Sequence, residues 1–146
     1  MISDFSTVPT QSEEETFNLG LKLAGNIHTE ILILVTGQLG VGKSVLIRGI
    51  AKGLGYDGRM RSPSYTIERV YKIPNGELHH WDLYRLEKQS EIEPVFEEIR
   101  MQSGIRLVEW GERLGDFVKD QFLIEMEYQD EPDSRLIKVD KRIAEI

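Results

Sequence analysis

The sequence contains no cysteine among its 146 residues. Disulfide bonds, cysteine-ligated zinc and thiol catalysis are therefore excluded. No run approaches the roughly 20 consecutive apolar residues that a membrane-spanning helix needs, and residues 1–5 lack the basic and apolar regions of a signal peptide. We therefore expect a cytoplasmic protein with no membrane association.

Proline is also scarce, and basic residues are fewer than acidic residues. The five prolines and 13 glycines are scattered, so no low-complexity linker is evident and one domain spanning residues 1–146 is expected. The net charge of −7 argues against strong autonomous binding to nucleic acid. A small basic cluster, Arg59 and Arg61, is compatible with a phosphate contact and with a solvated loop, and the sequence favours neither.

The most informative segment runs from Gly37 to Ser44 and reads GQLGVGKS. It matches G-x-x-x-x-G-K-[ST], the pattern of phosphate-binding loops. Residues 30–36 before it form an apolar run typical of a buried strand, and residues 45–54 after it carry apolar residues at helical spacing. Strand, glycine loop and helix together let backbone amides and a helix N-terminus hold the β- and γ-phosphates of a nucleotide. This context disfavours the alternative, an ordinary glycine-rich turn.

The motif predicts roles for two loop residues and requires a carboxylate from another part of the chain. Lys43 is expected to contact the β- and γ-phosphates, and the Ser44 hydroxyl to ligate Mg²⁺. A phosphate-binding loop also needs a carboxylate that organises Mg²⁺ and the attacking water, usually at the end of a neighbouring strand. Periodicity does not choose among the four candidates, which are Asp82, Glu109, Glu125 and Asp140. For Asp82 and Glu109, a solvated strand end is an equally good interpretation.

The remaining pattern predicts an α/β, P-loop NTPase-like three-layer domain with a mixed parallel and antiparallel sheet. Residues 1–9 are expected to form a loose N-terminal arm. Ser12 and Glu15 are expected to form a capping box that starts a helix ending near Gly25. The later expected elements are a hairpin turning at residues 74–77, an acidic helix over 91–100, a strand over 105–110 and a second hairpin over 122–140.

Five segments extend the pattern beyond the loop motif. They are Thr16 with Gly20, Arg48-Gly49 directly after the loop, SPSY at 62–65, HWDLYRL at 80–86 and LVEWGE at 107–112. Together they resemble the TsaE family, the small P-loop ATPases of bacterial tRNA threonylcarbamoyladenosine synthesis. The resemblance extends from about residue 13 to residue 139, and the last two segments at these spacings are highly specific.

The resemblance implies roles for the two carboxylates and for a switch loop. Glu109 would coordinate Mg²⁺ directly or through water. Asp82 would lie near the γ-phosphate, as an outer Mg²⁺ group or as a base that positions water, and which of the two activates water is left open. Ser62 and Ser64 would belong to a loop that senses the γ-phosphate, although an ordinary proline turn explains them at least as well.

The resemblance also implies that Trp110 stacks on the nucleotide base, with core packing as the common alternative. The full set of implied nucleotide contacts is Glu13, Thr16, Gly37, Gln38, Leu39, Gly40, Val41, Gly42, Lys43, Ser44, Val45, Asp82, Trp110, Glu112 and Arg135. For Arg135 an exposed turn cation is an equally good interpretation. Gly111 replaces the family's proline, which predicts a looser turn after Trp110.

As a member of such a family, the protein is expected to use ATP and Mg²⁺, and to hydrolyse ATP slowly without its partners. The resemblance names those partners as TsaB and TsaD. Two alternatives remain, a small-molecule kinase and a nucleotide-sensing binding module without turnover. A kinase would need an acceptor pocket and usually an arginine-rich lid, for which 146 residues leave little room.

Overall fold

The computed structural model describes residues 4–28, 30–60, 67–117 and 121–144. Helices and strands follow one another along these residues. The elements are β1 (Phe5–Thr10), α1 (Glu13–Leu23), β2 (Leu32–Gly37), α2 (Lys43–Gly53), β3 (Glu68–Ile73), β4 (Gly76–Asp82), α3 (Gln89–Met101), β5 (Ile105–Glu109), β6 (Phe122–Tyr128), β7 (Arg135–Asp140) and α4 (Lys141–Ala144), with short 3-10 segments at Ala24–Asn26 and Gly111–Phe117.

The strands form one mixed sheet in the order β1-β7-β6-β2-β5-β4-β3. β2 is parallel to both β5 and β6, and β4 is parallel to β5. The two predicted hairpins, β3–β4 and β6–β7, are antiparallel pairs. Because the parallel strands β4, β5, β2 and β6 end at the same edge, the segments that follow them meet there.

The sheet separates two apolar cores, and this confirms the predicted three-layer α/β fold. On one face the buried side chains of α1 and α2 pack against those of β2, β5 and β6, among them Leu23, Leu46 and Ile33. On the other face α3 packs Ile92 and Ile99 against Trp81 and neighbouring apolar residues. Among the described residues, no helix is both long enough and apolar enough to cross a membrane.

The prediction that residues 1–9 form a loose arm is wrong for residues 5–9. Phe5–Thr10 forms β1, which pairs antiparallel with β7. Its sequence shows no clear alternation, and Pro9 argues against a central strand but is tolerated at a sheet edge. β1 is an edge strand, and half of its backbone groups need no partner strand. The residue pattern therefore did not predict it.

The start of α1 follows the prediction in part. Ser12 is the N-cap, and its hydroxyl accepts a hydrogen bond from the backbone N–H of Glu15 at 3.1 Å. The carboxylate of Glu15, however, accepts from the N–H of Gln11 at 2.9 Å instead of that of Ser12. The helix ends at Leu23 and continues as a 3-10 turn, close to the predicted end near Gly25.

Two glycines let α1 and α2 approach each other closely. A β-carbon on Gly20 would collide with the backbone of Leu46 and Ile50, and one on Gly49 would collide with the carbonyl group of Phe17. Backbone atoms cannot move aside as the end of a flexible side chain can. The close contact therefore seats α2, and with it the glycine loop that precedes it, against the first helix.

We expect Gly49→Ala to lower the free energy of unfolding by about 2 kcal/mol or more, although alanine favours helix by up to about 1 kcal/mol. The physical reason is the collision with Phe17. Urea denaturation followed by circular dichroism measures the change. Gly25→Ala is the matched control, because a β-carbon there would meet no atom within 4 Å. Equal stability of both variants would contradict the close-contact account.

Candidate active site

The glycine loop joins the central strand β2 to the first turn of α2. Gly37, Gly40 and Gly42 have φ values of 145°, 79° and 112°, which only glycine adopts without strain. Gly42 is the N-cap of α2, and Lys43 is its first residue. The first amides of a helix have no intrahelical partner and carry partial positive charge. The predicted loop thus has the backbone shape that binds an anion at a helix N-terminus.

The side chain of Lys43 lies within the loop and is only 5% exposed. Its ammonium group donates to the carbonyl oxygens of Gly37 at 2.5 Å and Gln38 at 3.0 Å, and lies 4.3 Å from the centroid of the Trp110 ring. Burial lowers the pKa of Lys43, whereas the nearby carboxylates of Glu109, Glu112 and Asp82 raise it. The loop therefore presents a partly desolvated cation that faces carboxylates.

The sheet brings Asp82 and Glu109 together beside this cation. They end the adjacent parallel strands β4 and β5 and are opposite each other in register. Glu109 is also opposite Val35 of β2, two residues before the loop. Adjacent positions in the sheet and the effect of both carboxylates on the pKa of Lys43 distinguish this pair from the other two candidates.

The other two candidates lie on β6 and β7, on the opposite side of β2 from Asp82 and Glu109. Glu125 is opposite Thr36 on the other side of β2 and lines a cleft beside the loop. Asp140 ends β7 opposite Phe5, and its carboxylate is paired with Arg142 at 2.7 Å. The Asp140 end of β7 is remote from the loop, because it is the Arg135 end of this strand that contacts Val41.

A histidine that the sequence left without a defined role orients Glu109. The Nε2 atom of His80 is 2.6 Å from Oε2 of Glu109, and the two residues are 2% and 6% exposed. Among the described residues, Nδ1 of His80 has no hydrogen-bond partner. An N–H on Nε2 donating to the carboxylate fixes one Glu109 oxygen. The signal in the sequence was the spacing of His80 and Asp82, which places both on one face of a strand.

Asp82 is half-buried and is held less tightly than Glu109. Its Oδ1 accepts a hydrogen bond from the backbone N–H of Tyr84 at 3.0 Å, a local turn that ends β4. Burial raises the pKa of Asp82, and the negative charge of Glu109 raises it further, against the Tyr84 hydrogen bond and the positive charge of Lys43. Asp82 is thus easier to protonate than an ordinary aspartate.

The raised pKa of Asp82 predicts a stability change for Asp82→Asn. The pKa of Asp82 in the folded protein is higher than the ordinary value of 3.8. Asp82 therefore stabilises the folded state at pH values below 3.8, and this stabilisation is lost as the pH rises through the folded-state pKa. Asparagine cannot ionise but keeps the oxygen that accepts from Tyr84. We therefore expect a higher melting temperature than wild type at neutral pH, and a difference that closes on acidification. Thermal melts across pH measure it, with Asp130→Asn on the exposed hairpin as the control. A variant no more stable than wild type at neutral pH would contradict this prediction.

Trp110 lies at the mouth of the site in a left-handed conformation, with φ of 59°. Its ring is 5.0 Å from the Tyr84 ring and 5.5 Å from the Arg113 guanidinium carbon. With Glu112, it lines a cleft of about 560 Å³ between the loop and the end of β6. The structure thus places Trp110 and Glu112 beside the loop, with the indole half-buried.

The turn after Trp110 is not loose, contrary to the expectation from Gly111. Gly111 is buried, and a β-carbon on it would lie 2.6 Å from the β-carbon of Leu34. The segment after β5 therefore packs directly on β2. Glycine permits this close contact because it has no β-carbon.

The weaker nucleotide-contact candidates lie at the same end of the sheet. Arg135 donates from Nε to the carbonyl of Val41 at 2.8 Å. Thr16 is buried, and its hydroxyl is 2.8 Å from that of Thr10, which is opposite Arg135 in the sheet. Glu13 is exposed in the first turn of α1. The switch residues Ser62 and Ser64 lie outside the described residues, as does Arg61.

The oxygen donors at this edge suit Mg²⁺. Ser44 is exposed in the first turn of α2, and the carboxylates of Glu109 and Asp82 face Lys43. Hard oxygen ligands of this kind, completed by phosphate and water, are what Mg²⁺ prefers. In the described part of the chain no three histidine, aspartate or glutamate residues cluster so as to hold a metal by themselves. A site in which the nucleotide supplies part of the coordination is consistent with both observations.

Comparisons with known proteins show relatives of one family. The model of the family described as threonylcarbamoyl adenosine biosynthesis protein TsaE matches residues 10–137. The tRNA threonylcarbamoyladenosine biosynthesis protein TsaE of Haemophilus influenzae is 37% identical over 72% of this chain and 69% of its own length. The protein of the same name from Rickettsia bellii is 31% identical over 92% of this chain and 90% of its own.

A solved structure shares the fold. The crystal structure of YdiB from Bacillus subtilis superimposes with a TM-score of 0.72 and 25% sequence identity, covering 95% of this chain and 86% of that chain. The family match spans the glycine loop, both paired carboxylates and Trp110. The chain therefore belongs to the TsaE family of tRNA threonylcarbamoyladenosine biosynthesis proteins.

Proposed function

We propose that this protein is a Mg²⁺-dependent ATPase that binds and hydrolyses ATP in support of tRNA threonylcarbamoyladenosine modification by TsaB and TsaD. The observation that carries the proposal is the pairing of Asp82 with Glu109 at adjacent strand ends, both facing the buried cation of Lys43. A glycine loop alone binds phosphate. A loop with a lysine and two carboxylates beside it has the groups that hydrolysis requires.

The triphosphate of ATP would lie on the amides of the loop and the first turn of α2. Lys43 already donates to two loop carbonyls, so a small movement of its ammonium group would exchange these contacts for β- and γ-phosphate oxygens. A dianionic phosphate would also offset the burial that lowers the pKa of Lys43. The adenine base would occupy the cleft lined by Trp110 and would stack on the indole.

The two carboxylates would take different roles. Ser44 and Glu109 would hold Mg²⁺, which supplies charge neutralisation on the β- and γ-phosphates when bound. The contact with His80 holds one Glu109 oxygen, and the other oxygen would face the metal. Asp82 would orient the attacking water and accept its proton, because its raised pKa suits a base better than an ordinary aspartate does.

Partner dependence is the second part of the proposal. Phosphoryl transfer at a glycine loop is often slow until an additional cation completes the site in trans, which accelerates it by about 10³ or more. The net charge of −7 suits a cytoplasmic protein that docks on TsaB and TsaD and leaves RNA binding to them. Its direct affinity for nucleic acid would then be weak.

Phosphate release from ATP and Mg²⁺, measured with and without TsaB and TsaD, tests the proposal. We expect slow release by the protein alone and a rise of about tenfold or more with both partners. Release that stayed the same with both partners would count against partner dependence. A protein that neither bound ATP nor released phosphate under either condition would refute the ATPase assignment itself.

A further inference from the structure

The end of the β6–β7 hairpin touches the outer side of the glycine loop at two carbonyl groups. The Tyr128 hydroxyl donates to the Leu39 carbonyl oxygen at 2.8 Å, and Nε of Arg135 donates to that of Val41 at 2.8 Å. Tyr128 and Arg135 are opposite each other in the sheet, and the guanidinium carbon lies 4.5 Å from the centre of the tyrosine ring. The two donors therefore form one unit.

These contacts fix the two peptide planes whose amides belong to glycines. The carbonyl of Leu39 shares its peptide plane with the N–H of Gly40, and that of Val41 shares its plane with the N–H of Gly42. In a trans peptide the two groups point in opposite directions. A donor that holds the carbonyl outward therefore holds the amide of Gly40 or Gly42 inward, where a phosphate would bind.

Without such a contact these two planes would be free to turn. Both glycines have positive φ and no side chain to oppose rotation of the preceding peptide. Tyr128 also limits the space at the loop tip, since a β-carbon on Gly40 would lie 3.0 Å from its hydroxyl. Arg135 is itself anchored, donating from Nη1 to the carbonyls of Pro132 at 2.6 Å and Ser134 at 2.9 Å. The hairpin turn thus forms a fixed support.

We propose that Tyr128 and Arg135 are positioning residues that hold the glycine loop ready to bind phosphate. This inference rests on the proposed function and adds the support of the loop to it. It assigns Arg135 an action through the loop backbone, in place of the direct nucleotide contact that the sequence predicted. Tyr128 has no part in the glycine-loop motif, and its contribution would come entirely from one hydroxyl group.

Tyr128→Phe tests the proposal, because it removes the hydroxyl and keeps the ring beneath Arg135. Losing one neutral hydrogen bond should raise the Kd of ATP and of ADP alike by roughly two- to tenfold. KM for ATP should rise with kcat unchanged, since the loop binds substrate and transition state equally. Amide hydrogen exchange at residues 38–42 of the ligand-free protein should become faster. Tyr56→Phe is the matched control, because Tyr56 follows the far end of α2 and packs on Tyr71.

A second variant separates support of the loop from direct binding. Arg135→Lys keeps the positive charge and loses the Nε–H that reaches Val41, so it should raise Kd and loop exchange as Tyr128→Phe does. Both residues hold the same loop. The fold-increase in Kd of the double variant should therefore be smaller than the product of the fold-increases of the two single variants. Weaker binding in Arg135→Lys together with wild-type binding and loop exchange in Tyr128→Phe would overturn the proposal.

The exchange measurement keeps this test independent of the ATPase assignment. It is made on the ligand-free protein and reports the loop directly, whether or not the wild-type protein hydrolyses ATP. Wild-type exchange at residues 38–42 in both variants would overturn the positioning role even if ATP hydrolysis were established. Faster exchange in both variants would support it even if the nucleotide were not ATP.

Discussion

Replacing Glu109 with glutamine is expected to slow ATP hydrolysis by about 10²-fold or more while ATP still binds. Glutamine has the shape of glutamate and keeps an oxygen that can accept from Nε2 of His80, so the buried pair remains hydrogen-bonded. What it removes is the negative charge beside Lys43. In the proposed mechanism that charge is needed for Mg²⁺, and most of the binding energy of the nucleotide comes from the loop amides.

Phosphate release and ATP titration calorimetry, both with Mg²⁺, measure this prediction. Glu97→Gln is the matched control, because Glu97 is exposed on α3 and its carboxylate pairs only at the surface with Arg100. The control should hydrolyse ATP like wild type. Undiminished hydrolysis by Glu109→Gln, at unchanged ATP concentration and stability, would remove Glu109 from the mechanism and leave the carboxylate pair without its proposed role.

Replacing Lys43 with methionine is expected to abolish detectable hydrolysis and to weaken ATP binding by about tenfold or more, since hydrogen bonds to charged groups contribute about 1.5–3 kcal/mol. Methionine keeps a long unbranched chain at this buried position and removes the cation. Because burial lowers the pKa of Lys43, removing the charge relieves a desolvation cost, and this offsets the loss of the hydrogen bonds to Gly37 and Gln38. The variant should therefore unfold at a temperature close to that of wild type.

The combination of lost binding and retained stability is what distinguishes a functional lysine from a structural one. Lys52→Met is the matched control, since Lys52 lies exposed in the last turn of the same helix. ATP affinity and melting temperature of both variants are measured side by side. A strongly destabilised Lys43→Met protein, or one that binds ATP as wild type does, would contradict the role assigned to this residue.

Local chemistry explains why much of the fold was predictable. Alternating apolar residues and a turn containing Pro74 gave the β3–β4 hairpin, and a polar turn with Pro132 gave β6–β7. The apolar run before Gly37 gave the central strand, and the glycines and Lys43 gave the loop and the start of α2. Each of these signals lies within a few residues of the element it predicts. β1 was missed because an edge strand with a proline carries no such signal.

From the residue pattern alone, the candidate site was predictable only where its residues are neighbours in the sequence. The glycine loop is contiguous, so its residues were identified directly. The family resemblance implied Asp82 and Glu109, but the residue pattern alone left four carboxylates open, because only the strand order sets residues of different strands side by side. The contact of His80 with Glu109 joins residues 29 positions apart, and that of Tyr128 with Leu39 joins residues 89 positions apart. Such pairings are made by the sheet, and a pattern along the chain can place His80 on one strand face without identifying its partner.

A crystal structure with Mg²⁺ and a non-hydrolysable ATP analogue tests the central claim most directly. The account predicts that the triphosphate lies on the amides of residues 40–44, with its terminal phosphate beside Lys43. It also predicts Mg²⁺ between the Ser44 hydroxyl and Glu109, and Asp82 facing the terminal phosphate. An analogue bound elsewhere on the protein, or bound in the loop with both carboxylates turned away from the metal, would contradict it.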